Sequence, residues 1–253
     1  MVRRLLIVSL VAACVVALTG CTRVELEEGD WGYVEVSEGD PASARESVVR
    51  GNATEARVSI RMGAGELRVD SGTSLKHLMD AEFDWSHDEL RPGVTHDISG
   101  GTAELLVEQG SFEFGRWPRN DFRNSWEIAL AEDLPMDLSV ELGAGEAELL
   151  LGGLTLSDLD VDLGAGAVTI DLSDLERDLD ADVNAGVGEL TLRLPADVGV
   201  RVSGRSGGIG EYQVDGFRSE GDAWVNDAWG ESDTEIDIDL NRGVGMVRLE
   251  LVD

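Results

Sequence analysis

Three histidines, His77, His87 and His96, sit among Asp80, Asp84, Asp88 and Asp97. Imidazole and carboxylate are zinc donors, but the histidine spacings of 10 and 9 residues fit no compact ligand motif. These side chains are expected to be solvated loop groups, and no metal ligand is assigned. Repeated acids such as Asp158, Asp160 and Asp162 raise a second chemistry, the carboxylate pair of a glycan-active enzyme. Such a pair needs a cleft that pushes its two pKa values apart, whereas these acids are spread over many alternate positions. Calcium binding by the Asp rows is a third chemistry. The Gly-Gly-x-Gly-x-Asp pattern of calcium-bound β-rolls is missing, which counts against it. Gly-x-Gly recurs along the chain, yet a dinucleotide loop needs a helix after its glycines, and each copy here runs into another alternating stretch. The sequence therefore offers no catalytic, cofactor-binding or metal-binding residue, and no cofactor is expected.

The one residue with an assigned chemistry is Cys21. Arg3 and Arg4 precede an apolar run from Leu5 to Leu18 broken only by Ser9, and Leu18-Thr19-Gly20-Cys21 follows. The run is shorter than the ~20 residues of a membrane-spanning helix and ends at small residues, the pattern of a signal peptide. Its end resembles a lipobox, in which the cysteine sulfur is diacylated and the bond before it is cut. Residues 1–20 are thus expected to be a lipoprotein signal peptide and Cys21 the lipidation site, with the rest of the chain exported and held on the extracytoplasmic face of a membrane. Cys14 lies in the discarded segment, so no disulfide remains and the fold must stand on its apolar core.

Without Arg3 and Arg4 the chain keeps 18 basic against 51 acidic residues, and Lys76 is its only lysine. Such a surface repels a phosphate backbone, which excludes nucleic acid as a partner. It would stay soluble in strong salt, so the acidity hints at a high-salt habitat, although an arginine-rich proteome explains it equally. Residues 21–54 hold the lipidated cysteine and a Glu-, Gly- and Ser-rich stretch with Pro41, read as a tether.

The elements that organise the remainder, residues 55–253, are glycine-centred. Met62-Gly-Ala-Gly-Glu-Leu, Leu142-Gly-Ala-Gly-Glu-Ala, Leu163-Gly-Ala-Gly-Ala-Val and Asn184-Ala-Gly-Val-Gly-Glu-Leu share a pattern with Gly208-Ile-Gly-Glu-Tyr and Gly243-Val-Gly-Met-Val. Gly145 to Gly166 is 21 residues, Gly166 to Gly186 is 20 and Gly188 to Gly210 is 22, so the paired glycines, Gly166 and Gly186 among them, are expected at equivalent corners of neighbouring coils. A break every 20 residues or so marks a stack in which each unit buries its apolar face on its neighbours. Around the breaks, acids alternate with aliphatics, as in Asp158-Leu-Asp-Val-Asp-Leu and Glu235-Ile-Asp-Ile-Asp-Leu, so carboxylates face one way and aliphatics the other. Residues 74–92 are expected to be a short helix or irregular strands capping the first coil, and 211–242 an excursion carrying Phe217, Trp224 and Trp229.

The order of lipobox, Met62-Gly-Ala-Gly-Glu-Leu-Arg-Val, Ala81-Glu-Phe-Asp-Trp, Trp126-Glu-Ile-Ala-Leu, Leu134-Pro-Met-Asp-Leu and the glycine ladder resembles the toast-rack family over about residues 55–253. The resemblance implies an all-β chain forming a single right-handed β-helix, a solenoid-like stack of about 20-residue repeats. It also implies a non-catalytic envelope module that works by binding, sensing or assembly, with relatives in envelope stress responses. This sequence departs from those relatives in having no multi-pass membrane segment, so a signal would have to pass through a partner. Two classes stay open: an envelope module with a protein or glycan partner, and a glycan-active enzyme. Contact is expected at Trp224 and Trp229, or at an open ladder end near Gly243 and Gly245.

Overall fold

The computed structural model describes residues 33–35, 43–110, 122–204 and 208–253. The signal-peptide reading and Cys21 lie outside the described residues. Five long strands carry the glycine segments: β3 (Glu55–Ser71), β8 (Met136–Leu150), β9 (Leu156–Asp171), β10 (Leu179–Pro195) and β15 (Glu235–Val252). They pair in parallel, in the order β3, β8, β9, β10, β15. Before β8 the chain also forms β1 (Tyr33–Glu35), β2 (Ser43–Val49), β4 (His77–Trp85), β5 (Pro92–Ser99), β6 (Thr102–Gln109) and β7 (Asn124–Leu130). Between β10 and β15 come β11 (Gly199–Gly204), β12 (Ile209–Val214), β13 (Arg218–Glu220) and β14 (Ala223–Val225). Among the described residues the only helix is a single 3₁₀ turn, Asp88–Leu90.

The glycines explain how long parallel strands can follow one another so closely. Only residues 151–155 join β8 to β9, whose starts lie side by side. Six Cα steps reach at most ~22 Å, whereas a straight strand as long as β8 would run ~46 Å. The strand must therefore fold back on itself, and burial shows where. Met136, Leu138, Val140 and Leu142 point inward, then Gly143 to Glu146 come to the outside, and the inward phase resumes at Ala147, Leu149 and Leu151. Inward positions switch from even to odd numbers across Gly143-Ala144-Gly145, so the glycines form a corner between two legs. β9 and β10 switch phase in the same way, with Leu159 and Val161 giving way to Val168 and Ile170, and Ala181 and Val183 to Leu190 and Leu192. The core lies between the two legs, a stack of aliphatic rows shared by all rungs.

Short strands finish the stack. At one end β6 and β7 continue the first and second legs of β3, and at the other β11 and β12 continue those of β15. Phe83 meets Trp126 edge to face, with ring centroids 5.5 Å apart, inside the N-terminal end of the core.

Four expectations are corrected. Residues 43–49, read as tether, form β2, antiparallel to β4 in the sheet, because Val48 is an apolar side chain that the core takes in. Residues 77–85, within the stretch read as a helix or irregular strands, form β4, a regular strand with buried Leu78, Met79, Ala81, Phe83 and Trp85. Gly166 stands beside Gly188, not Gly186, since each corner has two glycine columns and Gly186 belongs to the first. Gly210 does not follow Gly188: β15 enters between β10 and the β11–β12 pair, placing Gly245 between those two glycines. A continuous two-legged rung fits the interior, and the shorter strands are left at the end.

Candidate functional site

The repeat brings the outward residues of successive rungs into rows that cross the strands ~4.8 Å apart. On the first leg one row reads Arg57, Asp137, Asp158, Asp180, Asp237, Arg201. The arginines at its ends are paired, Arg57 with Glu104 at 2.9 Å and with Asp137 at 3.5 Å, and Arg201 with Asp237 at 2.8 Å. The next row sets Asp160, Asp182 and Asp239 side by side. Second-leg acids have internal cations, with Arg68 on Glu148, Arg193 on Asp171 and Arg248 on Glu189. The middle of the first leg is thus a concentrated acidic face and the second leg a mixed one.

Partial burial and mutual repulsion together shift two acids of this face. Partial burial and then the charges of Asp137, Asp182 and Asp180 raise the Asp158 carboxyl above its usual range. Asp160 is raised by partial burial, then by Asp162, Asp182, Asp158 and Glu141. An acid whose folded pKa is raised adds stability below its ordinary value of 3.8, and that stability is lost as pH rises through the folded value. At neutral pH both carboxylates are therefore a cost to the fold. Asp160→Asn is expected to raise the melting temperature slightly at pH 7, by the few tenths of a kcal/mol typical of exposed charge pairs. The gain should shrink on acidification toward pH 4 or in ~1 M salt, and a gain independent of both would show that repulsion is not its source.

A groove of about 820 Å³ runs across the rungs along the first glycine column. It is lined along its length by Gly63, Gly143, Gly164, Gly186 and Gly243. One wall is the in-register row Arg61, Glu141, Asp162, Asn184 and Asn241. Arg61 donates to Glu141 at 3.1 Å and Asn241 to Asn184 at 3.1 Å, so this wall is polar and partly pre-ordered. Beside it the middle residues of the corners form an apolar ridge, Ala144, Ala165, Val187, Val244 and Ile209. Side chains on this ridge grow toward the C-terminal end, where Val187, Val244 and Ile209 are 57%, 48% and 74% exposed.

Trp224 on β14 packs against Tyr212 on β12 with ring centroids 4.5 Å apart and planes tilted by 44°, and both pack on the core. The Arg242 guanidinium lies over the Tyr212 ring, 3.9 Å from its centroid, and donates to Gly245 O at 3.2 Å. Trp224 therefore serves as an end cap, while Trp229 sits half-buried in the turn after it. The expected open end at Gly243 and Gly245 is also corrected, because β15 is interior and β12, with Gly210, is the outermost rung of the second leg.

The histidines fall on separate elements. His77 Nδ1 is 2.8 Å from Asp80 Oδ1 on β4, His87 Nδ1 is 2.7 Å from Ser86 Oγ, and His96 is on β5. Burial alone would raise the Asp80 carboxyl, but hydrogen bonds from Ser47, Thr73 and His77 outweigh it and hold the pKa low. Among the described residues no group of three or more His, Cys, Asp or Glu is placed to hold a metal ion.

Sequence reasoning missed two polar caps. Gln109 Oε1 accepts from the N–H groups of Gly63 and Ala64 at 3.0 and 3.2 Å, and Asn124 Nδ2 donates to Ala64 O at 2.6 Å. Together they close the glycine columns at the N-terminal end. Asn226, fully buried, accepts from Val200 N–H at 2.9 Å and donates to Val198 O at 2.7 Å, tying down the C-terminal end. Single Asn and Gln residues carry no motif, so only their pairing reveals them.

A family model described as the N-terminal domain of toast_rack, DUF2154, matches residues 37–193. Among solved structures, a proposed cell adhesion protein from Clostridium sporogenes is similar at 28% identity and a TM-score of 0.77, covering 84% of this chain and 100% of that one. A proposed adhesin from Bacteroides fragilis aligns at 13% identity and a TM-score of 0.32 over 83% of this chain and 98% of that one. No curated protein matches.

Proposed function

The chain belongs to the toast-rack family, and from that premise we propose that it is a lipid-anchored extracytoplasmic envelope module that acts by binding and not by substrate turnover. The observation that carries this reading is the ladder's surface: an acidic face, a groove with one polar wall and an apolar ridge, all running across the parallel rungs. Repeat proteins use extended surfaces of this kind for contact, while catalysis needs groups that converge on one point. The resemblance to a proposed cell adhesion protein supports the same direction. On this reading the coil is right-handed, the hand nearly all parallel crossovers take, with about 20 residues per turn. Cys21 holds it at the membrane, and a protein or glycan of the envelope occupies the exposed surface, in adhesion, assembly or stress sensing.

The test is crosslinking in intact cells followed by capture of the protein from membranes. Trp229→Ser is expected to reduce a crosslinked species several-fold if the aromatic turn is the contact, with circular dichroism unchanged. Trp224→Ser is expected to loosen the C-terminal end instead, because its ring packs on Tyr212. Equal capture by the Trp229 variant removes the turn as the contact region. Cleavage of envelope glycans by the purified protein would overturn the non-catalytic reading.

A further inference from the structure

Each leg of the ladder forms a sheet layer, and each layer has two ends. The first-leg layer is finished by β5, antiparallel to β6, and by β14 and β13, lying antiparallel beyond β11. The second-leg layer is finished at its N-terminal end by β4, antiparallel to β7, with β2 and β1 further out. Its other end is β12, which pairs with β15 on one side and, among the described residues, with no strand on the other. An edge of six residues without proline or bulge is a ready template for another strand. We propose that this edge is completed by β12 of a second copy of the chain, the two strands running antiparallel about a two-fold axis.

The glycine columns rule out the simplest alternative. A Cβ on Gly245 would lie 1.8 Å from Gly188 O, and one on Gly210 would lie 1.7 Å from Gly245 O. By the same repeat, the Gly210 carbonyl faces the next place in the ladder. A strand added there in parallel register must bring its own glycine, and the one Gly-x-Gly rung of a second copy left at an edge, β12, offers the same open side, which meets this one in parallel only if its layer is turned over with the core side outward. Antiparallel pairing does not continue that register, and it is how the other three ends are finished.

Charge then selects the position of the axis. Facing residues on paired antiparallel strands share a side of the sheet, so a perpendicular two-fold axis must pass through a residue. An axis at Glu211 would oppose two carboxylates, and one at Gln213 would set Glu211 against Asp215 of the second copy. At Gly210 the bent corner would have to pair with itself. At Tyr212 the ring faces its own copy, and Glu211 lies opposite Gln213 of the second copy, with no carboxylates opposed. The apolar ridge ends beside this edge at Ile209, whose exposed side chain the second copy would partly cover. Both copies are strongly acidic overall, so association should tighten as salt is added.

The register makes a test that traps even weak pairing. Glu211 and Gln213 are both exposed, so Glu211→Cys and Gln213→Cys are compatible with the fold. Each is made in the full chain carrying Cys14→Ser and Cys21→Ser, and equal melting temperatures confirm folding. Facing Cα atoms are ~5 Å apart, within reach of a disulfide, whereas diagonal neighbours at ~7–8 Å are not. Under mild oxidation in ~0.5 M salt, the mixture of the two variants is expected to give at least ~10-fold more covalent dimer than either alone. Equal yields from the mixture and the single variants, or no covalent dimer at all, would overturn the proposal.

Discussion

Gly166→Val is expected to lower stability by ~2–6 kcal/mol and the melting temperature by ~5–20 °C. Two costs combine at this position. Gly166 has φ +144°, where an L side chain is strained by ~1–3 kcal/mol. A Cβ there would also lie 1.7 Å from the carbonyl oxygen of Gly145, and the neighbouring rung cannot move away without parting from the stack. Overpacking of a rigid neighbour adds a further ~1–3 kcal/mol, and a β-branched side chain makes the overlap worse. Gly221→Ala isolates the first cost, since Gly221 has φ +66° with no atom within 4 Å of its missing Cβ. It should lose only ~1 kcal/mol. Thermal melts of the two variants decide the matter: similar small losses would mean the rungs are not locked through their glycines.

Cys21→Ser is expected to move the protein almost completely from the membrane pellet to the soluble extracytoplasmic fraction. One acyl chain gives marginal binding and two give durable anchoring, at ~0.8 kcal/mol per buried methylene, so losing the sulfur that carries them removes the anchor in one step. Among the described residues no helix is long and apolar enough to cross a membrane. Fractionation with a high-pH wash provides the measurement. A serine variant that stays in the pellet would place the anchor elsewhere and withdraw the lipidation proposal.

Gly-x-Gly with alternating acids and aliphatics on both sides was enough to expect an all-β stack, because the pattern specifies a corner and two inward faces. Pairing order was harder to read. Leu190 and Leu192 of β10 present an aliphatic row that either Tyr212 and Val214 of β12 or Val247 and Leu249 of β15 could extend, and nothing local distinguishes the two. Chain proximity favoured the first, whereas the second buries a longer strand. The same ambiguity hid the open edge, placed at Gly243 when β12 holds it. Residues 43–49 were obscured by composition, since Arg45, Glu46 and Ser47 make a strand with little apolar content resemble a linker. Of the candidate surface, the acid rows were legible from alternation. The groove was not, because it forms only when the first glycines of successive corners line up across the rungs.

The place of β15 has a consequence for the order in which the molecule can assemble. Synthesis delivers the N-terminal strands first, and β3, β8, β9 and β10 can dock as soon as they emerge. Strands β11 and β12 emerge next, yet their partner β15 follows both in the chain. Until it arrives, β10 on one side and β11 with β12 on the other each lack the strand they pair with in the finished ladder. A chain cut after residue 234 would therefore not be a ladder one rung shorter. It would keep β11–β14 as a loose flap beside an exposed aliphatic row, a form fit for degradation or for clumping, which makes the docking of β15 the step that joins the two parts of the ladder.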